Sequence, residues 1–274
     1  MMTSNRKLEE LSNDVRRIID GQDIDIRDNR EGILSILKND IYTLAAMKNE
    51  QVDILNQDKI VIKNTIADIS HQLKIPLTSM LIMIDLLESA PPEKQREFID
   101  SIRQSLTHTD WLVSSLLKMA KLDAGAVDFS REEIGAERLI KIALEPLQIL
   151  LELKNLSVTV EGGAAFFCDR RWTAEALSNV IKNSAEHSPE GGEIKIASGS
   201  NPVNSWVSVT DSGPGIASKD IPGLFRRYKG SRSGKGYGVG LPLALAIMEG
   251  QGGGIDVDGG GNGAGATFTL KLYR

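Results

Sequence analysis

The spacing of apolar residues changes in character near the middle of the chain. In the first half, apolar positions recur at intervals of three and four residues, which is the repeat of an amphipathic helix. This spacing predicts helices over residues 6–20, from Glu31 to about residue 89, and from Glu93 to Leu122. Beyond residue 130, short alternating segments separated by longer periodic ones predict strands mixed with helices.

The second half is predicted to be an α/β sandwich, because helices are interleaved with a mostly antiparallel sheet. We expect strands at Arg131–Ile134, Leu156–Val160, Glu193–Ser198, Ser205–Thr210, Ile255–Val257 and Ala266–Leu272, and helices at Ala136–Leu151, Trp172–His187 and Leu241–Glu249. Glycine usage supports this division, with two glycines in residues 1–120 and seventeen in residues 211–265. Helices avoid glycine, whereas loops that wrap around ligands use it.

Three domains are expected: a leader at residues 1–58, a helical hairpin at 59–124 and an α/β domain at 129–274. The leader resembles a HAMP signalling module in its helix–connector–helix arrangement, and an ordinary coiled-coil leader is the alternative. In the hairpin, two helices joined by a short turn lie antiparallel. Two such hairpins from two chains form a four-helix bundle, so we expect a homodimer.

His71 is predicted to face solvent. Apolar residues occupy the two seam positions of a heptad repeat: Val52, Ile66 and Leu73 at one, and Leu55, Ile62 and Ile69 at the other, with Lys59 as the exception. Such a seam needs a partner helix. His71 falls at the heptad position that points furthest from the seam, and Pro76 is expected to bend the helix just beyond it.

Composition and charge exclude several classes of protein. The net charge of −5, with no dominant basic patch, argues against a nucleic-acid partner. The single cysteine, Cys168, excludes an internal disulfide framework and fits a reducing compartment. No apolar run is long enough for a transmembrane helix, and no signal peptide is evident. The chain as given is therefore expected to be cytoplasmic, which leaves open that it is the cytoplasmic part of a longer membrane protein.

One predicted helix carries a stripe of polar side chains. Glu175, Asn179, Asn183 and His187 are spaced four residues apart and share one face. Their oxygen and nitrogen atoms suit a phosphate that carries Mg²⁺. A solvated helix face is the alternative.

Two glycine-containing loops follow that helix. In the first, Asp211 ends a strand, where its carboxylate can accept a hydrogen bond from a purine amino group. Gly213 and Gly215 would let the backbone approach the base, although a plain β-turn is the alternative.

The second loop has glycines at 236, 238 and 240 and leads into a helix whose first turn contains Pro242. Backbone N–H groups at such a junction bind phosphate, and the helix dipole assists them.

The order of these motifs resembles that of the sensor histidine kinases of bacterial two-component systems. The similarity covers residues 61–274 and is carried by the segments that resemble the family's H, N, first glycine, F, second glycine and glycine–threonine motifs: Ser70–Thr78, Asn179–Asn183, Asp211–Gly215, Leu224–Lys229, Gly236–Gly240 and Gly265–Thr267. The F motif is one residue short.

The resemblance implies ATP-dependent phosphorylation of His71, followed by transfer to an aspartate on the receiver domain of a response regulator. Asn183 would ligate Mg²⁺, with Asn179 beside the phosphates and Glu175 as a second possible ligand. Asp211 would bind adenine. The remaining nucleotide-binding residues implied are His187, Gly213, Gly215, Lys229, Gly236, Gly238, Gly240 and Thr267. A HAMP-like leader implies an upstream membrane sensor that is absent from this chain.

Three residues depart from the family pattern. Gln72 follows the histidine where an acidic residue is usual, and glutamine can orient the imidazole but cannot act as a base. Ile75 replaces a polar residue that positions water for phosphatase action. Glu186 stands where lysine is common. We therefore expect a kinase with weak phosphatase activity toward its regulator.

Two alternatives stay open. One is an ATP-driven clamp of the gyrase, Hsp90 and MutL superfamily, with Glu175 activating water. The other is a phosphotransfer dimer that has lost ATP turnover. The helical hairpin argues against the first, and the intact asparagine and glycine motifs argue against the second.

Overall fold

The computed structural model describes residues 2–19, 22, 24–27, 32–227, 238–261 and 265–273. They form two units, Met1–Ala67 and Asp68–Arg274, which are considered in turn. Among the described residues, no helix has the length and apolar character needed to cross a membrane.

The first unit contains helix α1, Met2–Ile19, and the beginning of helix α2, Ile33–Leu87. Leu11 of α1 is buried, as its place in the apolar pattern predicts, and Ile26 of the connector is buried as well. Helix α2 is 55 residues long and passes through the predicted domain boundary at residue 58 without interruption.

The second unit opens with the predicted hairpin. The rest of α2 is followed by helix α3, Pro92–Asp123. The turn is fastened by the Gln95 amide, which donates a hydrogen bond to the Ala90 carbonyl at 3.0 Å. Pro92 stands in the first turn of α3, where its missing N–H costs nothing. Helix α2 continues through Pro76, and the Pro76 ring is buried.

Beyond the hairpin lies the α/β sandwich, which confirms the predicted fold class. Its strands are β1 Arg131–Gly135, β2 Ser157–Gly162, β3 Ala165–Asp169, β4 Glu193–Ser200, β5 Asn204–Asp211, β6 Gly253–Asp258 and β7 Thr267–Tyr273. A five-stranded sheet has the order β2-β4-β5-β7-β6, and β1 pairs with β3 in a separate two-stranded sheet. The β2–β4 pair is parallel, and the other neighbouring pairs are antiparallel, so the mostly antiparallel expectation is confirmed.

The helices of this domain are α4 Ala136–Leu144, α5 Gln148–Leu153, α6 Arg170–His187 and α7 Gly240–Gly250. The single helix expected over Ala136–Leu151 is wrong, because a 3₁₀ turn, Glu145–Leu147, separates α4 from α5. Pro146 lies in that turn and cannot donate the backbone hydrogen bond that a continuous helix requires.

Strand β3 was not expected from the sequence. Its two glycine neighbours, Gly162 and Gly163, obscure a short strand. Phe166 and Cys168 are buried and Phe167 is exposed, which is the alternation of a strand with one covered face.

A buried polar cluster joins β3, α6 and α7. The Asp169 carboxylate caps α6 by accepting from the Arg171 and Trp172 N–H groups at 3.0 and 3.1 Å. The Gln251 side chain, 2% exposed, accepts from the Asp169 N–H at 2.7 Å and donates to the Thr173 hydroxyl at 3.1 Å. These bonds fix the start of α6 relative to the end of α7.

Candidate functional site: a nucleotide pocket

A cavity of about 380 Å³ opens between α6, the loop after β5 and the start of α7. Its size lies in the range of roughly 300–1,000 Å³ that is typical of small-molecule sites. The described residues that line it are Trp111, Asn179, Lys182, Asn183, Glu186, His187, Asp211, Pro214–Ala217, Asp220, Gly223, Leu224, Gly238–Pro242, Ala266 and Phe268.

Helix α6 brings three of the four predicted polar residues to this cavity. Asn179 is buried, Asn183 is half-buried and His187 is exposed. The Asn179 amide donates to the Glu175 carbonyl one turn earlier at 3.0 Å, which fixes the orientation of the amide. Glu175 itself does not line the cavity, and its carboxylate lies 2.8 Å from the Lys118 ammonium of α3.

The C-terminal end of α6 is held by Lys154. Its ammonium group donates to the carbonyl oxygens of Ala185, Glu186 and Ser188 at 2.6, 3.0 and 2.6 Å. A cation at this end also interacts favourably with the helix dipole. Lys154 thus fixes the turn that carries Glu186 and His187, and the sequence contained no short-range signal for this contact.

Asp211 ends β5 as predicted and is only 4% exposed. Its Oδ1 accepts from the backbone N–H groups of Gly213 at 2.9 Å and Ala266 at 3.1 Å. Both bonds end on the same oxygen, so Oδ2 can accept a further bond from a ligand donor.

The glycines around Asp211 are required because neighbouring protein atoms leave no room for a Cβ. A Cβ at Gly265 would lie 1.8 Å from the Asp211 carbonyl oxygen, and Gly265 has a φ of +78°. A Cβ at Gly213 would lie 2.9 Å from Asp211 Oδ1, and one at Gly215 would lie 2.6 Å from the Gly259 carbonyl oxygen. From the sequence, we expected these glycines to let the backbone approach a base. The clashes described here are with atoms of the protein itself.

The remaining predicted residues divide into three groups. Gly238 and Gly240 line the cavity, and a Cβ at Gly240 would lie 3.3 Å from Asn179 Oδ1. Thr267 does not line the cavity, and its hydroxyl lies 2.9 Å from that of Thr210 on β5. Lys229 and Gly236 lie outside the described residues.

Glu186 and Lys182 place opposite charges on the α6 side of the cavity, with 4.0 Å between carboxylate and ammonium. Burial raises the pKa of Glu186, and the positive charges of Lys182 and Lys154 partly oppose that rise.

Trp111 was not foreseen from the sequence as a residue of the site. It belongs to α3 of the hairpin, yet it lines the cavity, and the Lys182 ammonium lies 4.3 Å from the centre of its ring.

His71 lies on α2 and is exposed, as its heptad position predicts. Gln72 beside it is half-buried, whereas the Ile75 side chain is 49% exposed. Two of the three departures from the family pattern, Gln72 and Ile75, therefore lie within about one helical turn after the accessible imidazole.

This fold and cavity define a nucleotide-binding α/β domain that follows a helical hairpin with an accessible histidine. Two family models identify the class more closely. Residues 62–125 match the His Kinase A (phospho-acceptor) domain, and residues 168–274 match the histidine kinase-, DNA gyrase B- and HSP90-like ATPase. Together the models match more than half of the chain, which belongs to the sensor histidine kinases of two-component systems.

Individual relatives agree with this assignment. The chain is 26% identical over 222 residues to the sensor protein SphS of Synechococcus elongatus, covering 79% of this chain and 50% of SphS. It is 23% identical over 225 residues to the signal transduction histidine-protein kinase BaeS of Escherichia coli, covering 80% of this chain and 48% of BaeS. The chain thus spans about half the length of these curated relatives.

The fold is also found among solved structures. Histidine kinase AdeS of Acinetobacter baumannii aligns with a TM-score of 0.62 at 23% identity, over 74% of this chain and 97% of that one. At this level of identity the likeness establishes the fold.

Proposed function

We propose that this chain phosphorylates itself on His71 with ATP and then passes the phosphoryl group to an aspartate on the receiver domain of a response regulator. The observation that carries the proposal is an exposed histidine on α2, within the matched phospho-acceptor segment, in a chain that also contains a formed nucleotide pocket.

In the proposed reaction, Nε2 of His71 attacks the γ-phosphorus of ATP in line. The N–P bond forms as the bond to the bridging oxygen breaks, ADP leaves, and the imidazole gives up its proton to solvent. Phosphoryl transfer depends mostly on positioning and on stabilisation of charge. The exposed position of His71 supplies access, and the half-buried Gln72, the next residue along α2, would orient the ring.

Within the pocket, we assign Asp211 to the exocyclic amino group of adenine, because its free oxygen is an acceptor at the end of a fixed strand. Asn179, His187, Gly215, Gly238 and Gly240 line the cavity and would position the nucleotide from α6 and the two loops. Gly213 does not line the cavity and would act by holding Asp211, to which its N–H donates at 2.9 Å. Lys229, Gly236 and Thr267 keep the roles implied by the sequence motifs.

The donor set fits a hard cation. The half-buried Asn183 offers an amide oxygen in the cavity, and Mg²⁺ prefers oxygen ligands and retains several waters. When bound, the metal would offset the charge of the phosphates. Glu175 is the weaker candidate ligand, because its carboxylate already pairs with Lys118.

A homodimer and a regulator are the proposed partners. Large aliphatic side chains remain exposed on both hairpin helices, including Leu81 at 62% and Leu106 at 61%, and a second hairpin would cover them. The regulator is supported by a solved relative. Histidine kinase ThkA was solved in complex with response regulator protein TrrA. It aligns with a TM-score of 0.62 at 20% identity, over 85% of this chain and 66% of ThkA.

The domain division stays as predicted from the sequence, with a HAMP-like or coiled-coil leader at residues 1–58. We further propose that the chain is the cytoplasmic part of a membrane sensor kinase. Weak phosphatase activity is expected, because the aliphatic Ile75 cannot position a water molecule beside His71.

Labelling with γ-³²P-ATP tests the proposal. Acid-labile, base-stable label should appear on the wild-type chain and on His108→Gln, and should be absent from His71→Gln. Label that persists in His71→Gln would refute the assignment of the acceptor. Release of free phosphate without labelling would favour the clamp, which we do not favour because Glu175 lies outside the cavity lining. Absence of both labelling and phosphate release with ATP, together with acceptance of label by His71 from a ³²P-labelled receiver domain, would indicate the phosphotransfer dimer.

A further inference from the structure

The nucleotide pocket has one wall that comes from another domain. Trp111 lies on α3 of the phospho-acceptor hairpin, whereas the other described lining residues belong to the α/β domain. The indole is half-buried, and one of its faces carries the Lys182 ammonium at 4.3 Å from the ring centre. A cation over an aromatic face is an attractive arrangement that orders both side chains.

The position of Trp111 is fixed by a second contact further along the same helix. Lys118 of α3 pairs with Glu175 of α6 at 2.8 Å, while Trp111 contacts Lys182. Trp111 and Lys118 are seven residues apart on α3, and their partners Lys182 and Glu175 are seven residues apart on α6, about two helical turns in each case. The two partners occur in the opposite order along α6. This part of α3 therefore runs antiparallel to α6, with Trp111 at the cavity.

Apolar packing supports the same placement. Leu112 and Met119, again seven residues apart, are 1% and 2% exposed and belong to the core of the α/β domain. Helix α3 packs against α7, whose first residues line the cavity. Helix α3, which carries Trp111, is thus held against both α6 and α7.

Trp111 acts as a wall and does not plug the pocket. The cavity of about 380 Å³ is open while the indole lines it. An aromatic ring that borders an open pocket offers a flat apolar surface to a bound ligand.

We propose that Trp111 is a nucleotide-contacting residue, supplied by the phospho-acceptor hairpin, through which nucleotide affinity depends on the docking of the hairpin. This inference rests on the proposed function, since it requires that the pocket bind ATP and ADP. The dependence is reciprocal, so a bound nucleotide also stabilises the docked hairpin.

Fluorescence and calorimetry with ADP test the inference. Replacing both Trp172 and Trp206 by Phe leaves Trp111 as the sole tryptophan. The two replaced residues lie elsewhere, with Trp172 against Phe129 and Trp206 over Gly199. Saturable ADP binding should change the Trp111 emission in the whole chain.

Substitutions at the same position separate ring contact from general packing. Trp111→Leu should weaken ADP binding by about three- to tenfold, and Trp111→Phe, which keeps an aromatic face, should weaken it less. Trp206→Phe is the control and should bind ADP as the wild type does.

The outcomes are distinct. ADP binding by calorimetry with unchanged Trp111 emission and unchanged affinity in Trp111→Leu would overturn this inference and leave the proposed kinase intact. Failure of the wild-type chain to bind ADP at all would overturn both.

Discussion

The guanidinium of Arg227 makes two hydrogen bonds to the carboxylate of Asp123, at 2.5 and 2.6 Å. Asp123 is the last residue of α3, and Arg227 lies in the segment that resembles the F motif. The hairpin and the nucleotide domain are therefore joined by a bidentate ion pair at the point where the hairpin ends.

This pair should contribute measurably to stability. A double-mutant cycle with Asp123→Asn and Arg227→Gln should give a coupling free energy of about 0.5–1 kcal/mol, at the upper end for exposed pairs because the geometry is bidentate. The measurement is thermal unfolding of the whole chain at low salt and at high salt, where the coupling should shrink. The control cycle is Asp100 with Arg103, a 3.7 Å pair within α3 that should give almost no coupling. Equal coupling in both cycles would contradict the interpretation.

Removing the Lys154 ammonium should destabilise the domain. Lys154→Met should lower the free energy of unfolding by about 1–3 kcal/mol, because it takes the donor from three carbonyl groups at the end of α6. Denaturant unfolding of the whole chain measures the effect. Lys141→Met, at an exposed lysine of α4, is the control and should be nearly neutral. A loss of similar size in both variants would exclude a specific capping role.

Glu186 should make stability depend on pH. Burial raises its pKa in the folded chain above the ordinary value of 4.5, so above that pH the folded state retains a proton that the unfolded state has released. The contribution of Glu186 to stability therefore falls as pH rises from 4.5 through its raised pKa, and it is constant at higher pH. Glu186→Gln should remove this part of the slope in melting temperature against pH. Glu190→Gln, at an exposed residue, is the control and should retain this part of the slope. Parallel curves of melting temperature against pH for wild type and Glu186→Gln would refute the prediction.

Gly265→Ala should impair nucleotide binding, although the substitution adds no charge and removes no side chain. The new Cβ would meet the Asp211 carbonyl oxygen, and the positive φ of Gly265 disfavours alanine. Displacement of Asp211 should weaken ADP affinity about tenfold or more, as expected from backbone strain of this kind. Gly254→Ala is the matched control, since a Cβ there would have no described atom within 4 Å. Calorimetry should show normal affinity for Gly254→Ala, and normal affinity for Gly265→Ala would contradict the prediction.

Restoring an acidic neighbour should accelerate phosphorylation. Gln72→Glu should raise the single-turnover rate of phosphohistidine formation by about tenfold or more, since a positioned general base contributes roughly 100- to 10,000-fold. Gln104→Glu, at an exposed glutamine of α3, controls for the added charge. An unchanged or slower rate in Gln72→Glu would show that proton removal does not limit the reaction.

The local parts of the fold and site could be predicted from the sequence. The heptad repeat placed His71 on the outer face of α2, and fourfold spacing placed Asn179, Asn183 and His187 on one side of α6. Both follow from the geometry of a single helix. The strand end at Asp211 was similarly visible, because alternation stops there.

Contacts between distant segments could not be predicted in the same way. Lys154 reaches the end of α6 from 31 to 34 residues away, and Trp111 meets Lys182 from another domain. Neither pair has a periodic signature, because the contacts form only when separate elements pack together. Two short features, β3 and the 3₁₀ turn at Pro146, were also missed, because segments of five and three residues show little repeat.

Pro76 weakens the backbone hydrogen bonding of helix α2 close to His71. In the α-helical register its nitrogen would face the carbonyl of Gln72, but proline has no hydrogen to donate. The turn that begins beside His71 is therefore held by one backbone bond fewer than its neighbours. Bending the helix at this turn breaks one backbone bond fewer than bending it at a turn without proline, so the imidazole lies beside a turn that bends more easily than its neighbours.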